Sequence, residues 1–353
     1  MKRIFAPLMV FAALLSSCGG GSTENTASTN SGEEKKEEVV NVYTHRYYDA
    51  DKALFQQFEE ETGIKVNVKS DKDDKLIQLL QTEGENTEAD ILMTVDAGRL
   101  YYATELDLLQ SVTSEKLSAN IPSHLREPDG FWYALTKRAR VIAYSKERVD
   151  PNNLSTYEDL ATDKWDGKIS VRSSSNIYNQ SLMASIIIHN GQDAATEWAT
   201  GVVDNMFQEP KGNDRDQIKN VAMGKADVAL VNTYYMGKML NSSNTLEVEA
   251  AQKVGLFFPN QEGRGAHINV SGAGVTKHAK NKTNAIKLIE FLTEKNAQEV
   301  FARANYEYPV NPEVEMSDFL KDFGVFKADS LALYKLGAYN SDAVQTFQEA
   351  DWK

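Results

Sequence analysis

The sequence contains almost no cysteine, since Cys18 is the only one in 353 residues. A single thiol excludes an internal disulfide framework and any zinc site built from cysteines. The sequence also lacks the Gly-x-Ser-x-Gly turn of serine hydrolases, a phosphate-binding Walker loop and a His-Glu-x-x-His motif. Gly272-Ala273-Gly274 is too short for a nucleotide-binding fingerprint. We therefore expect that the protein is not an enzyme, and a secreted metalloenzyme ranks below any binding role.

Positive charge is also scarce. The chain has 38 Lys and Arg residues against 51 Asp and Glu, which gives a formal net charge of −13. An acidic surface repels phosphate backbones and anionic lipids, so no nucleic acid partner is expected. The charge is compatible with collecting cations. The length allows two domains, and no internal repeat is evident.

The amino terminus predicts export. Met1-Lys2-Arg3 is basic, and the apolar run from Ile4 to Leu15 has about 12 residues, against the roughly 20 that a membrane-spanning helix needs. We interpret residues 1–17 as a secretory signal peptide. Leu15-Ser16-Ser17-Cys18 resembles a bacterial lipobox, which implies a lipid-modified Cys18 as the first mature residue. Residues 18–38 have almost nothing apolar and are predicted to form a disordered tether.

From Val39 onward, strand-like and helix-like segments alternate. Val39 to Tyr43 is rich in β-forming residues, and Lys52 to Thr62 carries apolar residues at helical spacing. Gly63 is expected to end that helix, and Ile64 to Val68 alternates like a second strand. Strand, helix and strand in this order form the unit of a parallel sheet, so the sequence predicts an α/β fold.

Two further strands are predicted between Phe131 and Ser145. They run from Trp132 to Leu135 and from Val141 to Tyr144, and the charged stretch from Thr136 to Arg140 separates them. Long β segments of this kind could connect two lobes. A second α/β unit follows, with predicted strands at Lys168 to Val171 and Ala226 to Val231.

Tyrosines follow several of the predicted strands. Tyr47 and Tyr48 come after the first strand, Tyr178 falls in a polar loop, and Tyr234 and Tyr235 follow the strand at 226–231. Because carboxyl ends of parallel strands lie along one edge of a sheet, distant residues can meet there. Phenolate is a hard anionic donor suited to ferric iron, so we hypothesise that these phenols converge on one hard cation. The Tyr234-Tyr235 pair taken alone could equally be packing.

A site of this kind needs positive charge nearby. Four phenolates around a trivalent ion leave one excess negative charge, and Arg46, Arg140 and Lys238 are the best-placed cations. His45 could be an additional ligand. Alternation along the chain points its side chain away from Tyr48, however, and a solvated loop histidine is the competing interpretation.

Five stretches together resemble the bacterial iron(III)-binding substrate-binding proteins of ABC transporters, in particular the tyrosine-rich type that needs no synergistic carbonate. The stretches are Val42-Tyr43-Thr44-His45-Arg46-Tyr47-Tyr48, Ala89-Asp90-Ile91-Leu92-Met93-Thr94-Val95-Asp96, Lys137-Arg138-Ala139-Arg140-Val141-Ile142, Arg172-Ser173-Ser174-Ser175-Asn176-Ile177-Tyr178-Asn179-Gln180-Ser181 and Asn232-Thr233-Tyr234-Tyr235. The resemblance extends from Val39 to about Pro312.

The resemblance implies an α/β, two-lobed type II periplasmic-binding-protein fold with a hinge and an interlobe cleft. The first lobe would contain residues 39–137 and 264–312, and the second residues 138–263 and 313–353. Ferric iron would be bound by the phenolates of Tyr48, Tyr178, Tyr234 and Tyr235.

One departure from the family concerns the residue before the first ligand. Many relatives carry His there, whereas this chain carries Tyr47, so a fifth protein ligand stays open.

The implied function is iron uptake. A monomer outside the cytoplasm, anchored to a bacterial membrane by the lipid on Cys18, would capture ferric iron and deliver it to an ABC permease of the inner membrane. The alternative interpretation is a solute-binding protein for an organic cation or a sugar, with the tyrosines as stacking walls.

Overall fold

The computed structural model describes residues 38–353. The predicted signal peptide at 1–17, the predicted lipidation site Cys18 and all but the last residue of the predicted tether lie outside this range. Among the described helices, none is long and apolar enough to cross a membrane.

The strands of residues 38–353 form one connected network of backbone pairing. In chain order they are β1 (Val39–Thr44), β2 (Lys65–Ser70), β3 (Ile91–Val95), β4 (Tyr133–Ser145), β5 (Ile169–Ser170), β6 (Val228–Asn232), β7 (Val254–Phe257), β8 (Ile268–Val275) and β9 (Tyr308–Pro309). The order across the network is β2-β1-β3-β8-β4-β6-β5, and β7 and β9 also pair with β4. Parallel pairs join β1 to β2 and β3, while β8 runs antiparallel to β3 and β4.

Helices supply most of the connections between these strands. In chain order they are α1 (Asp49–Thr62), α2 (Asp73–Glu83), α3 (Ala97–Glu105), α4 (Glu115–Asn120), α5 (Ile177–Asn190), α6 (Gln192–Asp204), α7 (Asp214–Ala222), α8 (Thr233–Leu240), α9 (Thr245–Gln252), α10 (Lys282–Leu292), α11 (Lys295–Ala304), α12 (Asp318–Lys321), α13 (Tyr334–Ala338) and α14 (Asn340–Glu349). The predicted α/β class is confirmed.

The strand-helix-strand unit predicted at the amino end is present. β1 pairs in parallel with β2, and α1 between them buries Leu54, Phe55 and Phe58. Gly63 ends α1 with φ 72°, and its N–H donates to the Glu59 carbonyl at 2.8 Å. Glycine adopts this left-handed conformation without a steric penalty, which is why the helix stops there.

The apolar core lies between the strands and their covering helices. Val40 of β1, Val141 of β4 and Leu230 of β6 are fully buried, as is Ile186 of α5. Strands with both faces covered in this way have nearly continuous apolar sequences, which explains the patterns at 39–44 and 228–232.

β4 is one continuous strand, so the prediction of two strands at Trp132 to Leu135 and Val141 to Tyr144 was wrong. Its charged middle remains in the strand because the guanidinium groups have buried partners. Arg138 Nη1 donates to Ser271 Oγ at 3.2 Å, and Arg140 Nη1 lies 2.6 Å from an Asp214 oxygen. Residues 133–139 pair with β8, whereas residues 140–144 pair with β6. A single strand therefore belongs to two sheets.

Candidate metal centre

Four of the tyrosines considered above lie at the amino ends of three helices. Tyr48 immediately precedes α1, Tyr178 is in the first turn of α5, and Tyr234 and Tyr235 are in the first turn of α8. The loop predicted at Tyr178 was wrong, because Asn176 Oδ1 accepts the Tyr178 N–H at 3.2 Å and caps a helix there. The positive end of a helix macrodipole favours an ionised phenol.

The phenol groups on these helices converge. The hydroxyl oxygens of Tyr178 and Tyr234 are 3.4 Å apart, and the rings of Tyr234 and Tyr235 stack with centroids 4.2 Å apart. Tyr48 lies close enough to interact electrostatically with Tyr178 and Tyr234. The structure therefore brings together the four tyrosines that the family resemblance singled out.

Burial raises the pKa of three of these phenols, those of Tyr48, Tyr234 and Tyr235. It raises the pKa of Tyr48 to about 12, and the Glu307 carboxylate adds to that shift. Burial and the neighbouring phenols raise the pKa of Tyr234, which is only 6% exposed. Burial and the Asp214 carboxylate raise the pKa of Tyr235. A cation that binds these oxygens must therefore displace protons at neutral pH.

Two of the predicted cations lie beside the phenols. Lys238 Nζ is 3.7 Å from the ring centroid of Tyr48 and 5.2 Å from that of Tyr234, and burial lowers the pKa of Lys238. Arg46 Cζ is 5.5 Å from the ring centroid of Tyr48. A cation over a ring face is attracted by the ring quadrupole, and a phenolate would attract it more strongly.

Arg140, the third predicted cation, is part of a buried ion pair. Its Nη1 lies 2.6 Å from Asp214 Oδ1, and its Nη2 donates to Asn179 Oδ1 at 2.7 Å. Arg172 Nη1 lies 2.6 Å from the other Asp214 oxygen. Because Asn179 follows Tyr178 in the chain, this network anchors the start of α5. The Asp214 carboxylate neutralises part of the positive charge of Arg140 and Arg172.

The sequence did not single out Arg138 or Arg172 as counter-charges. Their Cζ atoms lie 5.4 Å and 5.6 Å from the ring centroid of Tyr178. Both belong to stretches that carry the family resemblance. Side chains two residues apart in a strand lie on the same face, so the position of Arg138 relative to Arg140 could have identified Arg138 from the sequence.

Tyr47 is placed differently. Its ring stacks on Phe55 of α1, with centroids 6.1 Å apart and an interplanar angle of 25°, and Lys52 Nζ lies 5.4 Å from its centroid. Exposure does not separate Tyr47 from Tyr48, since they are 37% and 36% exposed, and His45 is half-buried. Contacts with side chains of α1 therefore hold the ring of Tyr47.

Within residues 38–353, no group of three or more His, Cys, Asp or Glu side chains could hold a metal ion. The phenol oxygens are the candidate donors, and phenolate suits a small cation of high charge.

A family model described as "Bacterial extracellular solute-binding protein" matches residues 86–322. This range includes α5 and α8, whereas Tyr48 lies before its first residue. The chain is 48% identical over 346 residues to iron uptake protein A1 of Synechocystis sp., and the alignment covers 98% of this chain and 95% of that protein.

Solved structures show the same likeness. A Trichodesmium protein (IdiA, FutA) in complex with iron and citrate ligands is 49% identical, with a TM-score of 0.88 over 89% of this chain and 100% of that one. A ferric binding protein from Campylobacter jejuni is 43% identical, with a TM-score of 0.84 over 89% of this chain and 100% of that one.

Proposed function

The chain belongs to the family of bacterial extracellular solute-binding proteins, and from this premise we propose that it captures ferric iron outside the cytoplasm and delivers it to an ABC permease for uptake. One observation carries the proposal: phenol groups at the amino ends of three helices converge, with the Tyr178 and Tyr234 oxygens 3.4 Å apart. The protein's role is binding and transfer of the ion, without catalysis.

We assign the iron to four phenolates, with water or an exogenous anion completing the coordination. The ligands are Tyr48, Tyr178, Tyr234 and Tyr235. Four phenolates and one trivalent ion carry one net negative charge, and a low-dielectric cleft requires a compensating cation. Lys238 beside Tyr48 and Arg138 beside Tyr178 supply positive charge at the right places.

The ring contacts favour a metal over an organic cation or a sugar. Lys238 lies over the ring of Tyr48, and Arg138 lies over the ring of Tyr178. Tyr234 and Tyr235 stack on each other. A ligand that stacks on aromatic walls needs open ring faces, and these faces already have neighbours. The phenol oxygens of these tyrosines are then the groups available to bind a ligand.

Two lobes that close around the ion would explain why the ligands come from distant segments. We assign residues 39–137 and 264–312 to the first lobe and residues 138–263 and 313–353 to the second. The change of pairing partner along β4, from β8 at residues 133–139 to β6 at residues 140–144, supports a lobe boundary within this strand. Tyr48 then belongs to the first lobe and the other three ligands to the second, and hinge closure adds Tyr48 last.

We place the protein on the outer side of a bacterial membrane, anchored through Cys18. The only cysteine follows an apolar run and a Leu-Ser-Ser sequence, and polar residues follow it. Replacing Cys18 with Ala should abolish incorporation of labelled palmitate and move the protein to the soluble fraction, while Ser22→Ala should change neither. Unchanged membrane association of Cys18→Ala would show that the anchor assignment is wrong.

Titration with ferric citrate tests the iron assignment. Charge transfer from phenolate to iron should produce a visible absorption band that saturates at one equivalent per chain, and metal analysis of the natively purified protein should find iron. Tyr102→Phe is a matched control, because Tyr102 is 54% exposed and lies on α3. A protein that stays colourless throughout the titration would falsify the proposal, and calorimetry with organic cations and sugars would then identify the ligand class.

A further inference from the structure

Glu307 is a buried carboxylate from a segment far along the chain from every tyrosine of the site. It lies between α11 and β9 and is 4% exposed. The preceding residue, Tyr306, has φ 58°, a left-handed conformation that residues other than glycine seldom adopt. Such backbone costs free energy and persists only where surrounding contacts specify it. The fold therefore fixes the position of this short segment closely.

The Glu307 carboxylate is paired with a guanidinium two residues before Tyr48. Glu307 Oε2 lies 2.8 Å from Arg46 Nη1. Arg46 is 1% exposed, and it also donates from Nε to Asp51 Oδ1 at 3.1 Å and from Nη1 to Thr136 Oγ1 at 2.9 Å. Desolvation offsets much of the attraction within a buried ion pair, so net stabilisation of the fold is a weak explanation for this one.

Arg46 and Asp51 in turn hold Tyr48. Asp51 Oδ2 accepts the Tyr48 backbone N–H at 2.8 Å, and Arg46 Cζ lies 5.5 Å from the Tyr48 ring centroid. A continuous series of contacts thus runs from Glu307 through Arg46 to both the backbone and the ring of Tyr48. All the charged members of this series are buried.

The same segment also contacts the helix that carries two other phenols. A Cβ atom at Gly237 of α8 would lie 2.4 Å from Cγ of Tyr306, so the Tyr306 ring occupies the space that the glycine leaves open. Tyr234 and Tyr235 are in the first turn of α8. Tyr306 therefore contacts α8, and the adjacent Glu307 contacts Arg46, which lies beside Tyr48.

We propose that Glu307 is a positioning residue that sets Tyr48 relative to α8, acting through Arg46, and thereby controls how tightly ferric iron is held. This inference rests on the proposed iron-binding function. Removing a group that orients a metal ligand typically lowers metal affinity by about 10- to 100-fold. Glu307→Gln preserves the shape of the side chain and removes its charge, so we expect a loss in that range.

A double-mutant cycle tests whether Glu307 acts through Tyr48. Ferric affinity is measured by competition with a chelator for the wild type, Glu307→Gln, Tyr48→Phe and the double variant. If Glu307 positions Tyr48, Glu307→Gln should lower affinity by about tenfold or more in the wild type and by less than about twofold in the Tyr48→Phe background. Glu313→Gln, at an exposed glutamate six positions on, is the control and should change neither affinity.

Equal losses in the two backgrounds would overturn the proposal, because a merely structural role of Glu307 does not depend on the Tyr48 hydroxyl. Unchanged affinity of Glu307→Gln in the wild type would overturn it as well. If circular dichroism shows that Glu307→Gln does not fold, Glu307→Asp enters the same cycle, since it keeps the charge and withdraws it from Arg46. A wild-type protein that binds no ferric iron would instead refute the proposed function, which is a separate result.

Discussion

The hydroxyl oxygens of Tyr178 and Tyr234 lie 3.4 Å apart although 56 positions separate the two residues. Each residue is in the first turn of its helix; α8 begins directly after β6, and α5 follows β5, the parallel neighbour of β6, after the segment 171–176. Helix starts at the carboxyl ends of parallel strands lie side by side, which explains the close approach. This half of the site is therefore assembled by the sheet itself, without Tyr48.

The two halves of the site should contribute unequally to affinity. Tyr48→Phe removes one proposed ligand, which the proposed closure adds last, whereas combining Tyr234→Phe with Tyr235→Phe removes two proposed ligands from the preassembled half. We expect the double variant to lose more ferric affinity than Tyr48→Phe, as measured by following the charge-transfer band during iron titration. Equal losses would contradict the proposed order of binding, and Tyr102→Phe should behave as wild type.

Iron loading should release protons and weaken as the pH falls. Burial raises the pKa of Tyr48 to about 12 and also raises the pKa of Tyr234 and of Tyr235, so these phenols are protonated before iron binds. In the proposed site iron binds phenolate, so each of these three tyrosines must lose a proton, and protons compete with iron more strongly at lower pH.

Calorimetry in two buffers with different ionisation enthalpies counts the released protons, and titrations at about pH 6 and about pH 8 test the direction. Iron binding without proton release would show that the phenols are not the ligands.

Tyr47 should not contribute its oxygen to the iron. Tyr47→Phe keeps the ring that stacks on Phe55 and removes only the hydroxyl. We therefore expect unchanged ferric affinity and an unchanged charge-transfer band, with Tyr48→Phe as the positive control. A shifted band together with weaker binding would identify Tyr47 as a fifth ligand.

Asp214 should be important for stability as well as for the site. Asp214→Ala leaves the guanidinium groups of Arg140 and Arg172 without their buried carboxylate, and breaking a buried ion pair in this way costs about 3–5 kcal/mol. Urea unfolding followed by circular dichroism measures the loss. Asp318→Ala, whose side chain is fully exposed beside Lys321, should change the unfolding midpoint little. Similar effects of the two substitutions would contradict the structural role of Asp214.

The local parts of the fold could be predicted from the sequence. Leu54, Phe55 and Phe58 at helical spacing, followed by Gly63, determine α1 and its end, and the structure matches both. α8 was not predicted because it is short, contains Gly237 and has two aromatic residues of low helix propensity in its first turn. Local helix propensity therefore does not predict α8. Contacts with the rest of the fold stabilise it instead.

The tyrosines of the site could be selected from the sequence, but most of their supporting residues could not. Tyr pairs after apolar strands are visible in the chain. The position of Arg138 depends on its pairing with Asn269 in β8, and that of Asp214 on a contact with Arg140 across 74 positions. Glu307 approaches Tyr48 only through tertiary packing. Contacts over such distances have no local sequence signal.

The position of β8 has a consequence for when the protein can fold. β8 pairs with β3 on one side and with β4 on the other, yet it begins at Ile268, long after β3 ends at Val95. Until residue 275 has been synthesised, both neighbours have an open edge, and pairing between such distant segments forms slowly. A growing chain of this topology therefore cannot complete its first sheet until β8 has been made, after more than two thirds of the chain.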